Sequence, residues 1–479
     1  MKRKRVKSDK HPAITKKTLE KWHESFQKVP ANIIARNAVS SVGSMFATTD
    51  SNRVNKISYI FMNSVKRKNL KATNQGHSGR CWMFAALNTF RHILIEVLDL
   101  ENFEFSETYL FFWDKLERCN SYIQWFIDHP KENPSTRGYE YMITDYTSDG
   151  GWWNTFANLV TKYGIIPHGC MNETASSVDS AEMNRILKEH IDSCVNYITI
   201  NRKKLSQDQL NKIMKEKMEE IYSILVKFLG EPPTKLDWSY KSSEGEGNIL
   251  CDVTPEKFTQ SVTAGLNMNE DFITLVHLPS RNLKTNTLYS VRYTNNVYEG
   301  KNCTMFNTDI EELTKYAMKS IISGFAVWFV GDVHQSFNWF YSALDDELDA
   351  HEQVFGENKF SKGDRIIMRN IQGNHAMALT GFNADASRGV KNWQVENSWG
   401  YWDNETPGLD GFLTMSHSWF KKYVMEIVVL KRFLSRTMLK QIEKEPIILN
   451  PWDSMAPATR AGVVNPPINY LNLRKKTFP

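Results

Sequence analysis

Nowhere do the 479 residues contain an apolar run long enough to cross a bilayer. The longest, Ile321 to Val330, is about half of the ~18–20 residues a spanning helix needs. The first ten residues, MKRKRVKSDK, carry charge with no apolar stretch behind it, so no secretory signal is expected and a cytoplasmic location is. Cysteine is scarce: six residues, at 81, 119, 170, 194, 251 and 303, with no C-x-x-C pair and no histidine at zinc-finger distance. That pattern signals neither a metal nor a cofactor, and in a reducing compartment it excludes a disulfide framework. There is no internal repeat and no low-complexity tract, which rules out solenoids and arrays. Net charge is small as well. The total of +5 is carried by the termini, with +5 in residues 1–10 and +4 in the last twenty, so the body is mildly acidic. An acidic body does not coat nucleic acid, although the KRKR segment fits a nuclear-import patch and the basic ends keep a nucleic-acid-binding or scaffolding role as a rival reading.

What is present is a globular chain. Hydrophobic residues at 41% against 24% charged are enough to bury a large core. The segment FSETYLFFWDKLERC reads as a buried amphipathic helix opened by Ser106 as its cap. Gln207 to Leu229 is the clearest helix, with Leu210, Ile213, Met214, Ile221, Leu225 and Phe228 at helical spacing and Gly230 followed by Pro232-Pro233 as its stop. Beyond it the pattern shortens to strand-length pieces: DFITLVHL, NTLYSVRYT, GFAVWFVG, HAMALTGF, NWQVEN, GFLTMS and MEIVVLK. Helices first and antiparallel-looking strands second predict an α+β enzyme with a cleft between a helical half and a β half.

Chemistry concentrates in Asn74–Ala86, NQGHSGRCWMFAA. A glycine-bearing loop runs into Cys81, which opens an apolar run continuing to Leu98 as a helix. A thiol at a helix N-terminus meets unpaired N–H groups and the positive end of the dipole, which favour the thiolate. Gln75, six residues earlier, is placed to join the Cys81 N–H in holding an oxyanion. A thiolate acting on an amide needs an imidazole to protonate the leaving amine. His375, at the mouth of the apolar strand HAMALTGF, is the best of the twelve histidines; His77 is the local competitor but sits in a flexible loop. Asn397, ending the next strand, can fix the imidazole, and Trp399 can keep water from that bond. Each residue has a bland reading as core thiol, loop cap, core histidine or turn asparagine; the joint order Gln, Cys, His, Asn is what singles them out.

The segments NQGHSGRCWMFA, HAMALTGF and WQVENSWG resemble the papain-like cysteine peptidases, and the Gly-Arg-Cys-Trp context resembles their bleomycin hydrolase (aminopeptidase C) branch. FSETYLFFWDKLERCN, DGGWWNTFANLVTKYGIIPHGCMNET, EPPTKLDWSY and GFLTMSHSWFKKYVMEIVVLK extend the resemblance across most of residues 60–456. The resemblance implies a two-lobed fold, a helical lobe beside an antiparallel β-barrel-like lobe, with large helical insertions, clearest at about 180–235. It implies Cys81 as nucleophile, His375 as general acid and base, Asn397 as orienting residue and Gln75 in the oxyanion hole, with Trp82 and Trp399 supporting them and no metal or cofactor. It also implies peptide substrates cut at the N-terminus, bleomycin-like amides, and a barrel of six subunits. Gly76-His77 and Asn374 depart from the branch, which usually has Lys with a small residue and Thr there. Cys81 and His375 are 294 positions apart, against the ~130–150 typical of compact relatives, so roughly 150 residues are inserted.

The predicted organisation is a loose basic segment at 1–18, a catalytic domain over 19–456, and an extension at 457–479. In the branch, the chain stops shortly after a segment like NPWDSMAPAT, and the terminal carboxylate receives the substrate's ammonium. Here RAGVVNPPINYLNLRKKTFP follows. Three outcomes are open: trimming to a new terminus near Ala456–Thr459, looping out to give a peptidase without N-terminal anchoring, or plugging the site.

Overall fold

In the computed structural model the described residues are 13–65, 70–263, 265–400 and 411–462. They fall into two compact units, one drawn from Met1–Lys56 with Glu347–Lys359, the other from Ile57–Asp346 with Phe360–Pro479. In the first, the helix Lys16–Gln27 starts on a Thr15 cap and lies partly inside the stretch expected to be loose; Pro30–Thr48 follows it. The basic ends at 1–12 and 463–479, on which the nucleic-acid reading rests, lie outside the described residues. No helix among the described residues is long and apolar enough to cross a membrane.

In the second unit helices come first. Cys81–Val97, Glu107–Asp128, Trp153–Tyr163, Ala181–Asn201 and Gln207–Leu229 share one hydrophobic core. Ser106 caps its helix by accepting from the Tyr109 N–H. Ser206 and Gln209 form a reciprocal capping box, and Gly230, at φ +85°, ends the Gln207–Leu229 helix where an L side chain would be strained. Leu210, Ile221, Leu225 and Leu229 are buried in the core shared with the chain's other helices, so the apolar stripe of this helix is satisfied within the chain.

A mixed sheet builds the other core. Its central run places Phe272–Val276, Val424–Leu430, Val327–Gly331, His375–Asp385, Gly389–Glu396 and Phe412–Ser416 side by side, each antiparallel to the next. The seven strand-length segments all form strands. The antiparallel expectation holds for this run and fails at its flanks. Cys303–Asn307 pairs parallel with Phe272–Val276, Ile447–Leu449 with Thr287–Val291, and Ala343–Leu344 with Phe412–Ser416. Those pairings join strands with intervening chain long enough to cross over, which strand-by-strand patterning does not register.

Candidate active site

Cys81 is the first residue of its helix, and the loop before it is held from both sides. Gln75 donates its backbone N–H to Ser398 O (2.9 Å), and the Gly400 N–H reaches Thr73 O (2.8 Å). Inside the loop, Ser78 Oγ donates to Gln75 O and Gln75 Nε2 to Ser78 O, both at 2.6 Å. Gly76 has φ +59°, and a Cβ there would stand 2.5 Å from Val178 O, so only glycine fits. Arg80, fully buried as the helix cap residue, donates to Ser78 Oγ and to both oxygens of Glu173 and lies over Phe84 and Phe111. The loop is therefore rigid despite its glycines.

The sulfur of Cys81 accepts from the Ala376 N–H at 3.4 Å, which brings it to within one residue of His375 along the chain. His375 is the first residue of its strand and fully buried. Its Nε2 lies 2.7 Å from Asn397 Oδ1, and the Trp399 ring stacks on the imidazole with centroids 4.5 Å apart. The remaining nitrogen, Nδ1, is buried with no hydrogen-bond partner among the described residues. Antiparallel pairing of Ala378 with Glu396 accounts for the approach of residues 22 positions apart. Trp82 anchors the other wall, its Nε1 on Asp149 O (2.7 Å) and its carbonyl accepting from Trp328 Nε1 (3.0 Å). His77 is exposed and its N–H pairs with Val178 O, so it belongs to the loop's outer edge.

Two expectations meet resistance. Gln75 is buried beside the site, yet one of its amide hydrogens is engaged by Ser78 O and its Oε1 accepts from Ser398 Oγ; only the second hydrogen remains for an oxyanion. Burial also works against the thiolate that the helix terminus favours. N–H groups of Ala376, Trp82, Gly462 and Cys81 itself lower the Cys81 pKa, but burial outweighs them and pushes it up to about 12. Burial likewise brings His375 down to about 4 against the opposing pull of Asn397.

The cover is the chain's own C-terminal segment. Residues Met455–Thr459 form a short helix, with Thr459 Oγ1 accepting from Trp152 Nε1 (3.1 Å). The chain then runs extended. Ala461 exchanges two backbone hydrogen bonds with Gly151, 2.9 and 3.0 Å, and the Gly462 N–H donates to Asn374 O (3.3 Å). Arg460 turns aside, hydrogen-bonded to Ser148 Oγ with its guanidinium over Trp152. The residue beside the thiol is thus Gly462, not one of Ala456–Thr459. Gly151 and Asn374 hold this segment by their backbones; the sequence reading noted Asn374 only as a departure from the branch and passed over Gly151, for which the DGG run was a cue. Asn374 is fixed by donating to Asp332 Oδ1 (2.6 Å) and accepting from the Val333 N–H (2.9 Å).

A buried thiol at a helix start, an imidazole steadied by an amide, and an extended peptide paired across a Gly-Gly loop are the features of cysteine hydrolases acting on peptide-like chains. Residues 13–456 match the Peptidase C1-like family, and the chain belongs to that family. It is 33% identical over 445 residues to aminopeptidase C of Listeria monocytogenes, spanning 92% of this chain and 98% of that one. It is 34% identical over 409 residues to human bleomycin hydrolase, spanning 84% and 89%. Among solved structures, PepW from Lactobacillus rhamnosis superposes with a TM-score of 0.88 at 30% identity, spanning 93% of this chain and 99% of that one. The chain is a papain-like cysteine peptidase.

Proposed function

We propose that this peptidase is an aminopeptidase working through Cys81, His375 and Asn397, and that residues 460–462 occupy its substrate track in the intact chain. The observation that carries the reading is the contact of the Ala376 N–H with the Cys81 sulfur, one residue from an imidazole bonded to Asn397. We take the helical core and the sheet core as the two walls of the cleft, the two-lobed arrangement the resemblance implies. Cys81 attacks the carbonyl carbon of the substrate's first residue. The Cys81 N–H and the free amide hydrogen of Gln75 hold the oxyanion. His375, steadied by Asn397 under Trp399, gives its proton to the leaving amine and then takes one from the water that hydrolyses the thioester.

The extension is the chain's own first substrate in this reading. Attack on the Gly462 carbonyl, with departure of the Val463 amine carrying the His375 proton and hydrolysis of the thioester, leaves a Gly462 carboxylate in the track. That anion receives a substrate ammonium; Arg460, held to one side by Ser148 and Trp152, does not face it. Purified protein is expected to lose residues from 463 onward by intact mass, and to cleave a free aminoacyl amide but not its N-blocked counterpart. Cys81→Ala is expected to keep full mass and lose turnover. An untrimmed chain with full aminopeptidase activity overturns the trimming step; turnover by the Cys81→Ala protein overturns the nucleophile.

The six-subunit assembly is also a proposal. Leu19, Trp22 and Phe26 form one exposed apolar face on the Lys16–Gln27 helix, suited to a second copy of the chain. Sedimentation at assay concentration tests it: a monomer overturns the assembly.

A further inference from the structure

Apart from the cleft, one buried cluster has chemistry that the peptidase reaction does not use. Phe105 and Pro167 pair as an antiparallel bridge, with the Ser106 N–H on Ile166 O and the His168 N–H on Glu104 O, each at 2.9 Å. This pairing brings Glu104 and His168 together just where Glu107 opens the Glu107–Asp128 helix. One ligating atom from each of Glu104, Glu107 and His168 lies within 4.8 Å of the others.

Glu107 is the anomaly. It is only 1% exposed, and among the described residues neither of its carboxylate oxygens has a hydrogen-bond partner; His168 Nδ1 is likewise buried and unpartnered among them. Its first-turn position lets the helix dipole offset part of the charge, but a dipole does not take the place of a donor at each oxygen. Other glutamates near the loop are handled differently, the partly buried Glu173 by Arg80 and Thr108 and the buried Glu396 by Arg91 and His92. Arg80 is thereby committed. Two carboxylates and an imidazole crowded in one desolvated place are either kept neutral by protons or neutralised by a cation.

We propose that Glu104, Glu107 and His168 bind a divalent cation of the zinc class, pinning the 104–107 segment to the 166–168 turn behind the loop that carries Cys81. The imidazole selects the metal, since zinc accepts nitrogen and carboxylate oxygen together, whereas magnesium and calcium favour oxygen alone. Ligands around zinc stand ~3.3 Å apart for bonds of ~2.0 Å, so the cluster closes by rotamer adjustment of its two glutamates. Glu104 and His168 are half-buried, which leaves an entry path from solvent. Water completes the tetrahedron on that side.

The test uses full-length Cys81→Ser protein, so that the reactive thiol does not bind the probe. After chelator dialysis it is loaded with Zn2+ alone, and bound metal per chain and melting temperature are measured. The expected result is one more zinc per chain than in His168→Ala or Glu107→Gln, a zinc-dependent rise in melting temperature lost in both, and no rise with Mg2+ or Ca2+. His168 is half-exposed, so His168→Ala keeps the test valid where the buried substitution compromises folding. Equal zinc content in parent and variants overturns the site. So does a Glu107→Gln protein that is more stable than its parent with or without zinc, because the carboxyl is then only a buried acid.

Discussion

Glu396 stands directly before Asn397 and is fully buried, bonded to Arg91 and, at 2.8 Å, to His92 Nε2. Arg91 and His92 belong to the helix that starts at Cys81, so this group ties that helix to the strand that leads into Asn397. Glu396→Gln leaves a buried guanidinium without its counter-charge, a loss of about 3–5 kcal/mol for a broken buried pair. Urea unfolding is the measurement, and a loss under 1 kcal/mol counts against the coupling. The pH dependence has a definite sign. Burial raises the Glu396 pKa, but Arg91 and His92 overcome it and the folded value lies below the ordinary one. The stabilisation is therefore complete above the unfolded glutamate pKa and is lost as pH falls through the lower folded value. The Gln variant should lack that acid limb. The grouping of Cys81, His375 and Asn397, which the structure brings together, could be singled out in the sequence because nucleophilic chemistry admits few residue types in few orders. Glu396 could not: its partners lie 304 and 305 positions away, and a glutamate at a strand end looks like any solvated one.

Elements were legible where their signals are local. The Gln207–Leu229 helix has the bounds expected because cap, period and stop all lie inside it or at its ends. The parallel flank of the sheet, and the track along residues 150 and 151, depend on chain that arrives from far away, so no window of sequence contains them. Gly151 shows how tightly that track is built. A Cβ there would stand 2.6 Å from Thr155 Oγ1 and 2.7 Å from the Trp82 ring, in a loop whose backbone already pairs with Ala461. Gly151→Ala must displace Trp82, the neighbour of Cys81, or move its own N–H and carbonyl off the peptide they bind. We expect kcat/KM on peptide substrates to fall by about tenfold or more, equivalent to the ~1.4 kcal/mol of one misplaced backbone pairing. Labelling of the freed thiol by a small alkylator should persist. An unchanged kcat/KM removes Gly151 from the substrate track.

On the scale of the whole molecule, the intact chain and one truncated at Thr459, which lacks the Gly462 that trimming leaves in place, are expected to differ in electrostatics as much as in access. With Gly462 over the thiol, burial pushes the Cys81 pKa up to about 12 and brings His375 down to about 4, which favours neutral thiol and neutral imidazole. Removing residues 460 onward returns water to the site. Desolvation is the first cause of both shifts, so both relax, the thiol downward and the imidazole upward, toward an ion pair at neutral pH. The two states then respond to pH differently. Alkylation of the intact Cys81→thioether reaction requires a thiolate that grows tenfold with each pH unit below the thiol's pKa, so its rate should climb steadily through neutrality. A chain ending at Thr459 should react about 10²-fold faster or more at pH 7, with a rate that is flat there and falls only in acid. The comparison is made with the intact form trapped before trimming, by mass-resolved labelling at Cys81 from pH 5 to 9. Equal rates and parallel profiles for the two chains would show that residues 460–462 neither shield the sulfur nor set its charge, and the latent state would have to be abandoned.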